Sequence, residues 1–180
     1  MNEPAAQVAR FERCVLPHLD AAYNLARWIM RDDHDAQDVV QEAFVRALRF
    51  FDDLRDDGSP RAWLLRIVRN TAYTWRGRLH LHNGEPVDLE HELSGVTDDG
   101  NCNPARLVER RESSESLNDA IAQLPGELRE TLVLRELEQL SYKEIAQVQQ
   151  IPMGTVMSRL SRARDRLEEI LAPVMSREEI

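Results

Sequence analysis

Arg159, Arg162, Arg164 and Arg166 crowd together and are opposed only by Asp165, so 155–167 is net +3 in a chain whose total is −9. Guanidinium groups at this density can meet phosphate, and an arginine in a duplex groove can bond two acceptors of a guanine edge. A solvated helix face would carry the same charges, so the arginines alone do not decide the matter. A second cationic stretch, 61–78, interleaves Arg61, Arg66, Arg69, Arg76 and Arg78 with Trp63, Tyr73 and Trp75 and contains no acid. That mixture suits single-stranded nucleic acid, where guanidinium groups track phosphates and rings stack on unpaired bases for about 1–3 kcal/mol each. Trp63 lies on an apolar stripe and is expected in the core; Tyr73 and Trp75 are equally open to core and to ligand. A third group, Asp35, Asp38, Gln41 and Glu42, has the opposite sign. It reads either as simple helix-start acidity, favoured by the helix dipole, or as a docking surface for a basic partner.

Catalytic chemistry is not expected. The chain has no phosphate-binding glycine loop, no His-rich metal spacing and no G-x-S-x-G nucleophile turn, so neither an enzyme nor a cofactor is predicted. Cys14 and His18 share a helix-compatible spacing but have no further ligands, and a metal-free pair is expected; Cys102 is isolated and offers no disulfide framework.

The elements that must position these groups are helices. Ser141 followed by Glu144 predicts a capping box, in which the hydroxyl satisfies one backbone N–H and the carboxylate reaches back to another. Ile145, Ala146 and Val148 supply the inner side of that helix, and Pro152 ends the pattern and starts the next. Val156, Leu160, Ala163 and Leu167 then recur on one stripe, leaving Gly154, Met157, Ser158, Ser161, Arg162 and Asp165 opposite, with Thr155, Arg159, Arg164 and Arg166 on the flanks. Residues 141–167 therefore read as a helix-turn-helix, and this context turns the arginines towards DNA.

Earlier in the chain, 5–30 carries Phe11, Val15, Leu19, Ala22, Ala26 and Ile29 at helical intervals, with Pro17 either kinking one helix or opening a second. Between Asp35 and Phe51 the residues Ala36, Val39, Val40, Ala43, Phe44, Ala47, Leu48 and Phe51 hold one apolar face. A loop rich in Asp and Gly spans 52–60, and the helix of 61–78 puts Trp63, Leu64, Ile67, Val68 and Ala72 inward. From His80 to Asn103 helical periodicity disappears, acids abound and Lys and Arg are missing, which predicts a flexible acidic linker. Leu117, Ile121, Leu124, Leu128, Leu132, Val133 and Leu137 precede the helix-turn-helix and are expected to cover its apolar sides.

The fold class expected for these 180 residues is all-α: two small helical domains, 1–79 and 113–175, joined by a linker at 80–112. No secretory segment opens the sequence and no apolar run is long enough to span a bilayer, so a cytoplasmic chain without membrane insertion is expected. The net charge of −9 bears on function, because counterion release supplies most of an autonomous DNA binder's affinity. This chain repels DNA except locally. Either it does not bind DNA, or a larger partner helps hold it there.

DAQDVVQEAFVRAL, RAWLLRIVRN and IPMGTVMSRLSRAR, in this order, resemble the extracytoplasmic-function (ECF) group of the sigma-70 family of sigma factors. The resemblance implies a sigma-2 domain, a linker threading the polymerase, and a sigma-4 domain with the helix-turn-helix. Its implied partners are core RNA polymerase through the β′ and β subunits, promoter DNA in duplex and single-stranded form, and an anti-sigma factor. Asp35, Asp38, Gln41 and Glu42 would bind the polymerase clamp, and Arg66, Asn70, Tyr73, Thr74 and Arg76 would melt and hold the downstream element. Thr155, Met157, Ser158, Arg159, Ser161 and Arg162 would belong to the upstream recognition helix. Two positions depart from the family pattern. Gln150 stands where a turn glycine is frequent and would meet a steric penalty in a left-handed conformation, and Thr74 stands where aspartate is frequent, leaving downstream base preference open. An autonomous helix-turn-helix regulator and a helical partner-switching adaptor are the rival readings.

Overall fold

The chain is all-helical in the residues that the computed structural model describes, 3–54, 58–83 and 117–175, and among them there is no strand. The first half comprises α1 (Glu3–Val15), a 3-10 turn (Leu16–His18), α2 (Leu19–Met30), α3 (Asp33–Arg49), a second 3-10 turn (Phe51–Asp53) and α4 (Pro60–Asn83). Pro17 opens a second helix rather than kinking one: it sits in the first positions of the 3-10 turn, where its missing N–H costs nothing. α2 stops at Arg31, which takes a left-handed conformation (φ 60°) and returns its N–H to the Arg27 carbonyl at 2.9 Å. Asp32 then caps α3, its carboxylate accepting the Asp35 N–H at 2.8 Å.

α2, α3 and α4 pack against one another around Val15, Leu25, Val39, Leu64, Leu65 and Val68, all fully buried. Each such side chain contributes about 1.5–3 kcal/mol through burial. Phe11 meets Phe51 edge-to-face at 5.3 Å, and Phe51 meets the half-buried Trp63 at 6.4 Å, closing one end of the bundle. Leu48, expected on the inner face of α3, is exposed instead, as are Val45 and Phe50. The stripe drifts because the buried line follows Ala36, Val39, Val40, Ala43 and Ala47, whose small residues let neighbouring helices come close.

The second half contains α5 (117–122), α6 (Gly126–Leu132), a π turn (Val133–Leu137), α7 (Tyr142–Gln149) and α8 (Met153–Met175). Ile145, Val148, Val156, Leu160 and Ala163 are buried where α7 and α8 meet, while Leu117 and Leu137, expected to cover the motif, are exposed beside an open apolar groove that Ile121, Leu132, Val133 and Leu167 also line. α4 continues to Asn83, so 80–83 is helical where the linker was expected to begin. The helix tolerates Gly77 and meets no further Gly or Pro until Gly84 and Pro86, which explains its length. The remainder of the expected linker lies outside the described residues. The two halves are in contact: α7 lies on α4 and α6 on α2, and their apolar residues form one continuous core.

Candidate nucleic-acid and polymerase interfaces

The helix-turn-helix forms as its caps dictate. Ser141 Oγ accepts the Glu144 N–H at 3.3 Å while the Glu144 carboxylate accepts the Ser141 N–H at 2.9 Å. Burial opposes ionisation of Glu144, but the bonds from the Ser141 backbone and hydroxyl, with Ser59 and Arg61, outweigh it and hold the carboxyl below its ordinary range. Gln150 does adopt the left-handed conformation (φ 56°), and Ile151 N–H reaches back to the Ala146 carbonyl at 3.2 Å, so the turn keeps its geometry without glycine. On α8 the side opposite the buried stripe is open, with Gly154, Met157, Ser158, Ser161, Arg162 and Asp165 all exposed. Arg159 departs from the other recognition residues: only 12% of its side chain is exposed, and it donates to Glu127 at 2.6 Å. Thr155 is half-buried.

α4 presents its polar side less freely than its sequence suggests. Arg66 and Asn70 are exposed, and the Thr74 hydroxyl is spent on the Asn70 carbonyl at 2.8 Å. Trp75, open in sequence to core or ligand, turns to α3: its Nε1–H donates to Glu42 at 2.5 Å. Tyr73 turns to the second half, where its hydroxyl donates to Glu130 at 2.7 Å beneath the Arg69 guanidinium, 4.6 Å from the ring. Burial and the neighbouring Glu130 push the Tyr73 phenol up and keep it protonated. Arg76 is half-buried.

The four docking candidates share the beginning of α3 but differ in freedom. Gln41 is exposed, while Asp35 and Asp38 are partly covered. Burial, then the nearby Asp32 carboxylate, raises the Asp35 carboxyl above its ordinary range; Asp38 adds to this and His34 opposes it. Glu42 is committed within the molecule: it accepts from Trp75 and is paired with Arg46, and the Trp75 bond is the main reason its carboxyl lies below the ordinary range.

A polar cluster between the halves was missed by the sequence reading, which credited 117–137 with apolar packing alone. Glu130, 3% exposed, accepts from Arg69 at 2.5 Å, Tyr73 and Gln149, and Glu138, 5% exposed, accepts from Arg61 and from Asn24 at 2.5 Å. Arg129 is buried beside them, bonded to the Ala122 and Leu124 carbonyls, and burial with the charges of Arg31 and Arg76 lowers its guanidinium to about 10. The available clue was charge in the apolar run LRETLVLREL, where Leu128, Leu132, Val133 and Leu134 flank Arg129 and Glu130. Periodicity cannot reveal which helix supplies the opposite charge.

The family model "Sigma-70 region 2" matches residues 14–80 and "Sigma-70, region 4" matches 114–167. The RNA polymerase sigma-H factor of Pseudomonas aeruginosa is 36% identical over 174 residues, covering 92% of this chain and 88% of that protein. The chain belongs to the sigma-70 family, in its ECF group. This sigma factor is an initiation factor rather than an enzyme, and its partners are RNA polymerase and promoter DNA. It is also 37% identical over 147 residues to the ECF RNA polymerase sigma-E factor of Escherichia coli, 79% of this chain and 77% of that one. Among solved structures it is similar to the sigma factor RpoE from Bartonella quintana in complex with the anti-sigma factor NepR, with a TM-score of 0.73 and 25% identity over 91% of this chain and 97% of that one. CnrH in complex with the cytosolic domain of CnrY shares the fold at a TM-score of 0.62 and 24% identity, covering 96% and 91% of the two chains. No helix among the described residues is long and apolar enough to cross a membrane.

Proposed function

We propose that this sigma factor reads its promoter with two surfaces of different chemistry, one on α8 for duplex DNA and one on α4 for unpaired bases. The observation that carries the reading is the open face of α8, where Met157, Ser158, Ser161 and Arg162 project from a firmly capped helix-turn-helix, exposed among the described residues. Such a helix fits a major groove, and one bidentate arginine–guanine pair there discriminates by about 1–3 kcal/mol. These residues set the upstream (−35) sequence, with Thr155 and Arg159 supporting the helix from its covered flank. Arg66, Asn70, Tyr73, Thr74 and Arg76 hold unpaired bases of the downstream (−10) element.

Asp35, Asp38, Gln41 and Glu42 mark the face of α3 that meets a basic and apolar coiled coil of the polymerase β′ subunit. The exposed Val45, Leu48 and Phe50 at the other end of α3 supply apolar area to the same contact. Residues 1–79 and 113–175 are the sigma-2 and sigma-4 domains, and 80–112 is the linker that passes through the polymerase. An anti-sigma factor covers both domains in the uninduced cell, as NepR and CnrY are bound by related folds. The chain works in the cytoplasm, where its polymerase is.

Run-off transcription with purified core polymerase tests the assignment of surfaces. Arg162→Ala weakens initiation on duplex promoters yet spares templates opened by a mismatched bubble, whereas Asn70→Ala fails on both. A preformed bubble that rescues Asn70→Ala but not Arg162→Ala reverses the two surfaces.

A further inference from the structure

Of the five arginines of α4 whose guanidinium groups would track a strand of phosphates, Arg61 and Arg69 are bonded to acids of the other half of the molecule. Arg69 bonds the buried Glu130 at 2.5 Å, Tyr73 bonds the second oxygen of the same carboxylate at 2.7 Å, and Arg61 bonds the buried Glu138. Both acids come from the other half of the molecule, Glu130 from α6 and Glu138 from the residue just after the π turn. The turn places Glu138: its N–H bonds the Val133 carbonyl at 3.0 Å, and the widened backbone delivers the carboxylate between Asn24 of α2 and Arg61 of α4. Glu144 joins them from α7 through Ser59 and Arg61. A carboxylate and a phosphodiester present the same chemistry to a guanidinium, an anionic oxygen pair.

We propose that Glu130 and Glu138 latch this sigma factor in a self-masked closed form, occupying Arg69, Tyr73 and Arg61 of α4 in place of the phosphates of the unpaired promoter strand. The inference rests on α4 being the single-strand surface. Masking is selective, because Met157, Ser158, Ser161 and Arg162 of α8 stay exposed while the latch is shut. The duplex surface is available when the melting surface is not.

The interface is built to open as well as to close. Arg31 and Arg129 both donate to the Ala122 carbonyl, and the charges of Arg31 and Arg76 add to burial in lowering the Arg129 guanidinium. Separation of the halves returns these groups to water and relieves that repulsion, so the two carboxylates add to the shared apolar core in holding the closed form. Any ligand that binds only the open form then shows an affinity reduced by the open fraction.

Förster transfer within the full chain reads the latch directly. Cys14 and Cys102 are replaced by serine and dyes are attached at Gln37→Cys on α3 and Glu168→Cys on α8, both exposed positions. Glu138→Gln is the primary variant, since Asn24 and Arg61, to which its carboxylate is bonded, both lie in the first half; Glu130→Gln is added second because Glu130 also bonds Gln149 of its own half. Circular dichroism confirms that each variant folds. High transfer in the parent, lowered in Glu138→Gln, lowered further in the double variant Glu130→Gln, Glu138→Gln, and restored by the exchanged pair Arg61→Glu with Glu138→Arg, is the expected result. The double variant Glu130→Gln, Glu138→Gln also binds a fluorescent single-stranded oligonucleotide of the promoter's non-template strand about tenfold more tightly, read by anisotropy. Unchanged transfer in folded Glu138→Gln and in the double variant overturns the latch. Opening without tighter strand binding overturns the masking, and the bubble-template assay then shows separately whether α4 is the melting surface at all.

Discussion

Gln150 and Trp75 show how one side chain's setting changes what its sequence position implies. Gln150 carries the left-handed turn of the helix-turn-helix at a steric cost that glycine would not meet. Gln150→Gly should stabilise the protein by about 1 kcal/mol, seen as a higher urea midpoint at constant slope, and no gain would mean that the Gln150 side chain compensates for its backbone. Trp75 is bonded to a carboxylate, so Trp75→Phe should cost about 1–2 kcal/mol and bring Glu42 back up towards the ordinary glutamate range. The sign follows from the depressed folded value of Glu42. Its contribution is complete above the unfolded glutamate range near 4.3, fades as pH falls through that range, and is gone once pH drops below the lower folded value. The acid limb of a stability–pH curve should therefore flatten in Trp75→Phe, and an unchanged limb would remove Trp75 as the main cause.

At the scale of the element, α3 combines a packing face with the proposed docking face, and Glu42 belongs to both. Reversing Glu42 would break its bonds to Trp75 and Arg46 and so confuse loss of docking with loss of fold. Asp38→Arg with Gln41→Arg avoids those bonds. This pair should abolish binding to core polymerase in a pull-down while leaving the thermal midpoint nearly unchanged; intact binding would move the docking surface elsewhere. α7 depends in the same way on its capping box. Ser141→Ala should cost about 1 kcal/mol, and by releasing Glu144 it should loosen the helix-turn-helix before the rest of the molecule, with faster amide exchange over α7 as the measurement.

The whole molecule is an acidic chain with one open cationic face on α8 and a second cationic helix, α4, partly covered by the chain's own acids. With a net charge of −9 it should bind duplex promoter DNA no more tightly than about 1 μM at physiological salt when isolated, and far more tightly within the holoenzyme. Nanomolar, sequence-specific binding by the isolated chain, measured by anisotropy, would instead fit an autonomous regulator.

Local rules were enough for much of this protein. The capping box at Ser141, the break at Pro152 and the stripe of Val156, Leu160 and Ala163 depend on residues within a few positions of one another, and so they were legible before any fold was known. The family resemblance rested on three such stretches and their order. The sequence also located the open face of α8, because a face is defined by the helical period once the opposite stripe is buried. It could not tell that Arg159 is spent on Glu127, that Trp75 turns to Glu42, or that Glu130 and Glu138 meet Arg69 and Arg61. Those partners lie on different helices, some in different halves of the chain, and a charge in a sequence carries no record of what will lie opposite it. Only the packing of α6 and α7 against α2 and α4 decided which arginines face solvent and which are already bound. That distinction separates the open face of α8, proposed for duplex DNA, from the covered side of α4, proposed for the single strand.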